Sequence, residues 1–287
     1  MATATLIKRL IRERPHLREP LQFYRRVSDL WASAVPDDLT RVLVDPDDRP
    51  LRLARGWPLM DPPRFADTDL SRTAETWRRL LALMRTRNPA LAAAADAMDA
   101  TFGTGARCAQ SLAGMLGHQT APPLPPTVPP DFTGYLVRLA LRPSLIPLLV
   151  PLGDVFSDRA WNRPVCPLCG FPPGLAEELE HGRRLCCSFC PAAWSYTVKG
   201  CPFCGNSAEQ HLACAIEEVE PGYHVAICTR CKGYLKTVHA HEVGRKVDPS
   251  LEDLVTVPLD HAAQHEGYLP PTAAVASAFG IRDAPPG

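Results

Sequence analysis

The stretch that decides the fold runs from Val165 to Cys231: VCPLCGFPPGLAEELEHGRRLCCSFCPAAWSYTVKGCPFCGNSAEQHLACAIEEVEPGYHVAICTRC. It holds ten of the 11 cysteines in the chain. Eight of them stand in four C-x-x-C pairs: Cys166 and Cys169, Cys187 and Cys190, Cys201 and Cys204, Cys228 and Cys231. A two-residue spacer lets both thiolates of one tight turn reach a single ion, and two such turns complete a tetrahedral shell of four sulfurs. Two pairs read CPxCG, at 166–170 and again 35 residues later at 201–205. Proline stiffens that turn. The glycine after the second cysteine permits a positive φ, which lets backbone N–H groups aim at sulfur. Rubredoxins and zinc ribbons share this knuckle.

The gaps between consecutive pairs, 17 residues in the first case and 23 in the last, both fit the C-x2-C…C-x2-C pattern of a metal site. Sequential pairing is the simplest. It puts Cys166, Cys169, Cys187 and Cys190 in one site, and Cys201, Cys204, Cys228 and Cys231 in the other. An interleaved arrangement joins the first pair to the third across 31 residues and leaves the second to the fourth. Cys186 adjoins Cys187 and is an alternative ligand; the two-residue spacer favours Cys187. Pro191 follows Cys190 and removes one backbone N–H near its sulfur. Structural metal suffices to explain the eight cysteines, since a structural zinc contributes roughly 10–16 kcal/mol in small knuckles. Such turns accept iron or zinc, and sulfur ligands alone do not choose between them.

Outward from this region the composition is ordinary. The 287 residues include 31 basic and 31 acidic side chains, for a formal net charge of zero. That excludes a strongly basic polyanion binder and a charge-extended disordered chain. The first residues, MATATLIKRLIRERPHLREP, carry charge from Lys8 onward, so they lack the apolar core of a signal peptide. Arg25-Arg26 is followed by VSDLW, unlike a twin-arginine signal. The apolar run Phe132–Leu152 contains Arg138, Arg142, Pro143, Pro147 and Pro151, which argues against membrane insertion. The expected compartment is the cytoplasm, where thiols bind metal more readily than they pair.

Residues 1–160 read as a helical domain. Leu21, Tyr24, Val27, Trp31 and Ala34 recur at helical spacing, as do Trp77, Leu80, Leu81 and Met84. A Pro- and Asp-rich loop lies between them, through Pro36, Pro46, Pro50, Pro58, Pro62 and Pro63. Asn88-Pro89 starts a helix through Met98 and Phe102, and Arg107–Leu116 forms another. Six prolines in residues 121–130 make a connector. Asp131 then caps an apolar helix that Pro143 and Pro147 break or restart. From Trp161 short alternating segments between the cysteine pairs read as strands. From Asp248 a helix returns, kinked or split by Pro258, and the tail from Pro270 is rich in Ala and Pro. The fold class is α+β: a helical N-terminal domain (1–160), two tandem rubredoxin-like or zinc-ribbon modules (161–199 and 200–247), and a C-terminal helix and tail (248–287).

Other constellations weigh less. Cys108 reads as a small buried apolar side chain, and Cys186 and Cys214 as further structural thiols, with exposed redox thiols as the alternative. His239-x-His241, with both rings on one side of a strand, could bind metal but reads first as an exposed strand edge, and His261 with His265 reads as a solvated helix face. GxxxxGK[ST], GxGxxG and HExxH are absent. Residues 161–240 hold seven Lys/Arg against seven Glu, so no basic field favours nucleic acid despite Arg183, Arg184 and Lys232. Phe171, Phe189, Trp194, Tyr196, Phe203, Tyr223 and Tyr234 read as a small core.

The run CPLCGFPP…GRRLCCSFCPAAWSYTVKGCPFCG…ICTRCKGYLKTV…DPSLEDLVTVPLDHAAQHEGY resembles the formate dehydrogenase accessory protein family FdhE. The resemblance covers about residues 160–270. Cys186 and Pro258 depart from its pattern. It implies a cytoplasmic maturation factor, not an enzyme, that contacts the catalytic subunit of formate dehydrogenase before export. It also implies two metal ions in four-cysteine sites, with iron as the family's ion and zinc as the alternative. A rubredoxin-like iron redox carrier acting on that client is the second reading, and a nucleic-acid-binding ribbon protein the third.

Overall fold

Why the helical spacing works is plain once side chains are placed. The computed structural model of the chain describes residues 2–87, 89–117, 128, 130–157, 161–208, 212–216 and 222–274. The described residues fall into two compact units, one within 2–46 and 60–151, the other within 47–59 and 152–274. The first unit holds α1 (Ala2–Glu13) and α2 (Arg18–Ala32). A short helix α3 (Arg49–Ala54) belongs to the second unit. The first then continues with α4 (Ser71–Arg85), α5 (Pro89–Phe102), α6 (Gly105–Leu116) and α7 (Pro130–Leu149). Leu21, Tyr24, Val27 and Leu30 form the buried stripe of α2. Helix α4 is the hub: Trp77, Leu80, Leu81 and Met84 are buried, and α5, α6 and α7 pack around it. Trp77 meets Phe102 of α5 with ring centroids 4.7 Å apart.

Two local readings change, and one helix cap is added. The Pro/Asp-rich loop contains α3, with Pro50 in its first turn, where a missing N–H costs nothing. Helix α7 runs without a break through Pro143 and Pro147. Pro143 deprives the Leu139 carbonyl of its helical donor, and the indole Nε1–H of Trp31 supplies a substitute at 2.8 Å. Finally, α4 takes its N-terminal cap from a distant residue. The buried carboxylate of Asp37 accepts the N–H groups of Arg72 and Thr73, each at 2.8 Å, and the Thr73 hydroxyl at 2.6 Å. The connector at 121–130 lies almost wholly outside the described residues, as do Asn88 and the Asp131 side chain. The run Phe132–Ser157 is long and apolar enough to cross a membrane, but 56% of its most apolar window is buried inside the protein.

The second unit continues from α3 through α8 (Gly153–Ser157) to six strands: β1 (Pro173–Leu179), β2 (Gly182–Cys187), β3 (Ala193–Tyr196), β4 (Leu212–Ile216), β5 (Tyr223–Cys228) and β6 (Tyr234–His239). They make one sheet in the order β3-β2-β1-β6-β5-β4. Each cysteine module gives an antiparallel three-stranded meander. The two meanders join where β1 pairs in parallel with β6, from Leu175 opposite Lys236 to Glu178 opposite His239. Helices α9 (Pro249–Val255) and α10 (Val257–His265) follow, split with Pro258 in the first turn of α10.

These helices are tied to the sheet by polar contacts as well as by Leu251, Val255 and Leu259, all buried. Tyr223 donates to Glu252 at 2.8 Å, and Arg245 clamps the same carboxylate. Lys236 donates to Asp253 and Asp260, and Tyr234 donates to Asp260. The polar atoms of the buried Glu252 and Lys236 therefore have partners, as burial requires.

Candidate metal centres

All four C-x-x-C turns are built alike. In each, the N–H of the first cysteine donates to the carbonyl five residues on: Cys166 to Phe171 at 2.9 Å, Cys187 to Ala192 at 2.9 Å, Cys201 to Asn206 at 2.8 Å, and Cys228 to Gly233 at 2.9 Å. In the CPxCG turns a second bond closes the loop, from Gly170 to Cys166 at 2.9 Å and from Gly205 to Cys201 at 3.0 Å. Both glycines have positive φ, +81° and +69°. At Gly170 a Cβ would also stand 2.8 Å from Pro58, so even the space for a side chain is missing there. In the last turn the equivalent place is held by Lys232, with φ 58°. Its ammonium sits over the Tyr268 ring at 5.5 Å, and its carbonyl accepts from Leu269 at 2.6 Å. The second turn has Pro191 at this place, and proline cannot adopt positive φ.

The structure gathers the thiols in two sequential groups: Cys166, Cys169, Cys187 and Cys190, and Cys201, Cys204, Cys228 and Cys231. In the first, Cys169 Sγ lies 3.4 Å from Cys187 Sγ and 3.5 Å from Cys190 Sγ, and Cys166 lies 3.5 Å from Cys190. In the second, Cys201 to Cys231 is 3.6 Å and Cys204 to Cys228 is 3.8 Å. These are too long for disulfides, and the cysteines are free. They fit ligands around one ion: metal–sulfur bonds near 2.3 Å give tetrahedral edges of about 3.8 Å. Backbone N–H groups aim at sulfur in both groups, from Phe189 and Cys190 to Cys187, from Phe203 to Cys201, and from Gly233 to Cys231. Such donors stabilise thiolate.

Burial pushes the thiols of Cys169, Cys190 and Cys201 well up, and Cys231 to about 11. One thiol in each group goes the other way. Burial opposes ionisation of Cys187, but hydrogen bonds from Cys166, Cys169, Cys190 and the Phe189 N–H bring it well below the ordinary range. Cys228 is lowered against burial by the N–H groups of Cys231 and Arg230. Four thiolates this close repel one another, and a bound cation relieves that repulsion. The donor set fits zinc or iron.

Cys186 stands outside both groups. Successive residues of a strand face opposite ways, so on β2 Cys187 joins the cluster while Cys186 is buried in the core, its thiol pushed to about 12. Cys108 is fully buried on α6. Cys214 lies on β4, and its side chain is outside the described residues. Trp194, Tyr196, Phe203, Tyr223 and Tyr234 are core, and Phe171 stacks on Phe189 at 4.6 Å. His261 and His265 are exposed on α10. Beside the second group lies a cavity of about 300 Å³, bounded by Cys201, Phe203, Cys228, Leu235 and Arg183. The alternating patterns did not reveal it, because it forms between turns distant in sequence. Nor did they bring His224 and Glu242 to the His239-x-His241 motif. His224 Nδ1 lies 2.9 Å from His239 Nε2, and burial with the facing His239 lowers its pKa.

No protein-family model matches the chain. It is 32% identical over 141 residues to a protein FdhE homolog of Aquifex aeolicus, covering 47% of this chain and 50% of that protein. It is 27% identical over 112 residues to a protein FdhE homolog of Haemophilus ducreyi, covering 38% of this chain and 36% of that one. The matched region thus spans half or less of these curated relatives. The crystal structure of the FdhE protein from Pseudomonas aeruginosa shares the fold, with a TM-score of 0.59 and 22% identity, over 89% of this chain and 85% of that one. The chain is thus similar in part of its sequence to FdhE homologues, and it shares its fold with the solved FdhE protein.

Proposed function

We propose that this chain is a cytoplasmic accessory factor in the maturation of formate dehydrogenase. In this reading it binds the catalytic subunit before export and catalyses no reaction itself. The observation that carries it is the pair of four-cysteine groups set in one sheet, in a chain similar to FdhE homologues. Ions held by Cys166, Cys169, Cys187 and Cys190, and by Cys201, Cys204, Cys228 and Cys231, fix four turns that packing alone would leave weak. Those turns then present a shaped surface to a protein client. The zero net charge suits a protein partner better than nucleic acid. Co-purification with the formate dehydrogenase catalytic subunit tests the binding. Normal formate dehydrogenase activity in a deletion strain overturns the role.

A second reading is favoured by the cavity at the second group. Iron held by Cys201, Cys204, Cys228 and Cys231 would supply one-electron chemistry, beside a space of about 300 Å³. Anaerobic purification, metal analysis and a visible spectrum separate the two. Zinc at both sites without iron–thiolate bands removes the redox reading and leaves the accessory role intact.

A further inference from the structure

The β5–β6 hairpin carries Cys228 and Cys231 of the second cysteine group at one end. Its other end gathers a different set of donors. His239 ends β6, and the chain turns at once, with the N–H groups of Glu242 and Val243 both donating to the His239 carbonyl at 3.1 Å. This turn swings Glu242 back between two imidazoles. Its Oε1 lies 3.9 Å from His239 Nδ1 and 3.6 Å from His241 Nε2. One donor atom from each of His239, His241 and Glu242 lies within 4.8 Å of the other two. Ligands at about 2.0–2.2 Å from one ion stand some 3.3–3.6 Å apart, so small side-chain rotations close the set.

The neighbouring strand completes it. His224 on β5 faces the back of His239, Nδ1 to Nε2 at 2.9 Å. With two neutral rings, one nitrogen of that contact carries the proton. If His239 Nε2–H donates to His224, His239 Nδ1 is left as a bare lone pair facing Glu242. Ligating imidazoles are commonly held this way, with the far nitrogen fixed by a hydrogen bond.

We propose that His239, His241 and Glu242 form a third metal site, for a divalent ion of the zinc or nickel class, with His224 as the residue that positions His239. Two imidazoles and one carboxylate suit such ions. Three protein donors leave at least one coordination position open, unlike the closed four-sulfur groups. His241 is 66% exposed and Glu242 38%, so the site is reachable from solvent.

The test uses untagged full-length protein whose cysteine groups are already loaded with zinc. Nickel is titrated calorimetrically, and bound nickel and retained zinc are counted after gel filtration. The wild type is expected to take up one nickel per chain while keeping its zinc. His241→Ala and Glu242→Gln should each bind nickel at least tenfold more weakly, and His224→Ala should weaken it about tenfold to a hundredfold. His241 is exposed, so its variant keeps its fold, and the zinc count checks this. Absence of extra nickel in the wild type overturns the proposal, as does unchanged affinity in both His241→Ala and Glu242→Gln. Loss of the ion in His261→Ala instead would place the site on α10 and also overturn it.

Discussion

The ammonium of Lys236 stands 2.6 Å from Oδ2 of Asp260, with only 3% of the lysine side chain exposed. Asp253 takes a second contact at 2.7 Å. A residue of the second cysteine module thereby holds α9 and α10 on the sheet. Lys236→Met removes a partner from two carboxylates that are 37% and 24% exposed, and Asp260 keeps the Tyr234 hydroxyl, so the loss should be about 1–3 kcal/mol. Urea unfolding should show that loss. Adding Asp260→Leu should recover a good part of it. A Lys236→Met protein as stable as the wild type would show that solvent, not Lys236, satisfies these carboxylates.

Cys201→Ser should remove one metal ion per chain and destabilise the second unit. Cys108→Ser should keep both ions and cost only about 1–2 kcal/mol, because Cys108 lies on α6 in the helical unit. Metal stoichiometry and unfolding midpoints report both. Equal metal content in the two variants would contradict the ligand set.

The Cys108 thiol is pushed from 9.0 to about 11, by burial first and Asp99 second. At pH 8 roughly one chain in a thousand carries its thiolate. Iodoacetamide should therefore leave Cys108 unmodified in the folded, metal-loaded protein and label it on unfolding. The linkage has a definite sign. Between pH 9 and 11 the unfolded thiol ionises while the folded one keeps its proton, so stability present below pH 9 falls as pH rises. Cys108→Ala should flatten that limb of the pH–stability curve. Rapid labelling of native protein at pH 8 would contradict the burial.

Asp37→Ala should cost about 2 kcal/mol, since two backbone N–H groups at the start of α4 and the Thr73 hydroxyl lose their acceptor. Asp37→Asn should lie between, because its one amide oxygen serves fewer donors. Thermal unfolding of the three proteins gives the order. An Asp37→Ala protein with an unchanged melting temperature would mean that water takes over the cap.

Much of the plan was legible in the residues. The stripes on α2 and α4 come from helical spacing alone, and the split at Pro258 follows from a missing N–H. The eight metal-ligand candidates follow from the reach of a two-residue spacer. Pro143 misled because its disruptive effect is local, while the donor that replaces the lost bond, Trp31, comes from more than a hundred residues away. Lys232 carries no local signal of its own. Positive φ in a knuckle suggests glycine, but a contact with Tyr268 and a bond from Leu269 hold a lysine there.

The sequence by itself determined which thiols form turns, since C-x-x-C brings two sulfurs together through bonds along the chain. It also determined the helical character of the first half, because the 3.6-residue period is written in neighbouring side chains. Only the tertiary structure decided how the turns combine and that β1 pairs in parallel with β6 to fuse two modules into one sheet. It alone set Cys187 on the metal side of β2 with Cys186 in the core, and placed His224 against His239 across two strands. Each of these depends on residues distant along the chain meeting in space. Local spacing limits such meetings, but the packing of the whole sheet selects among them.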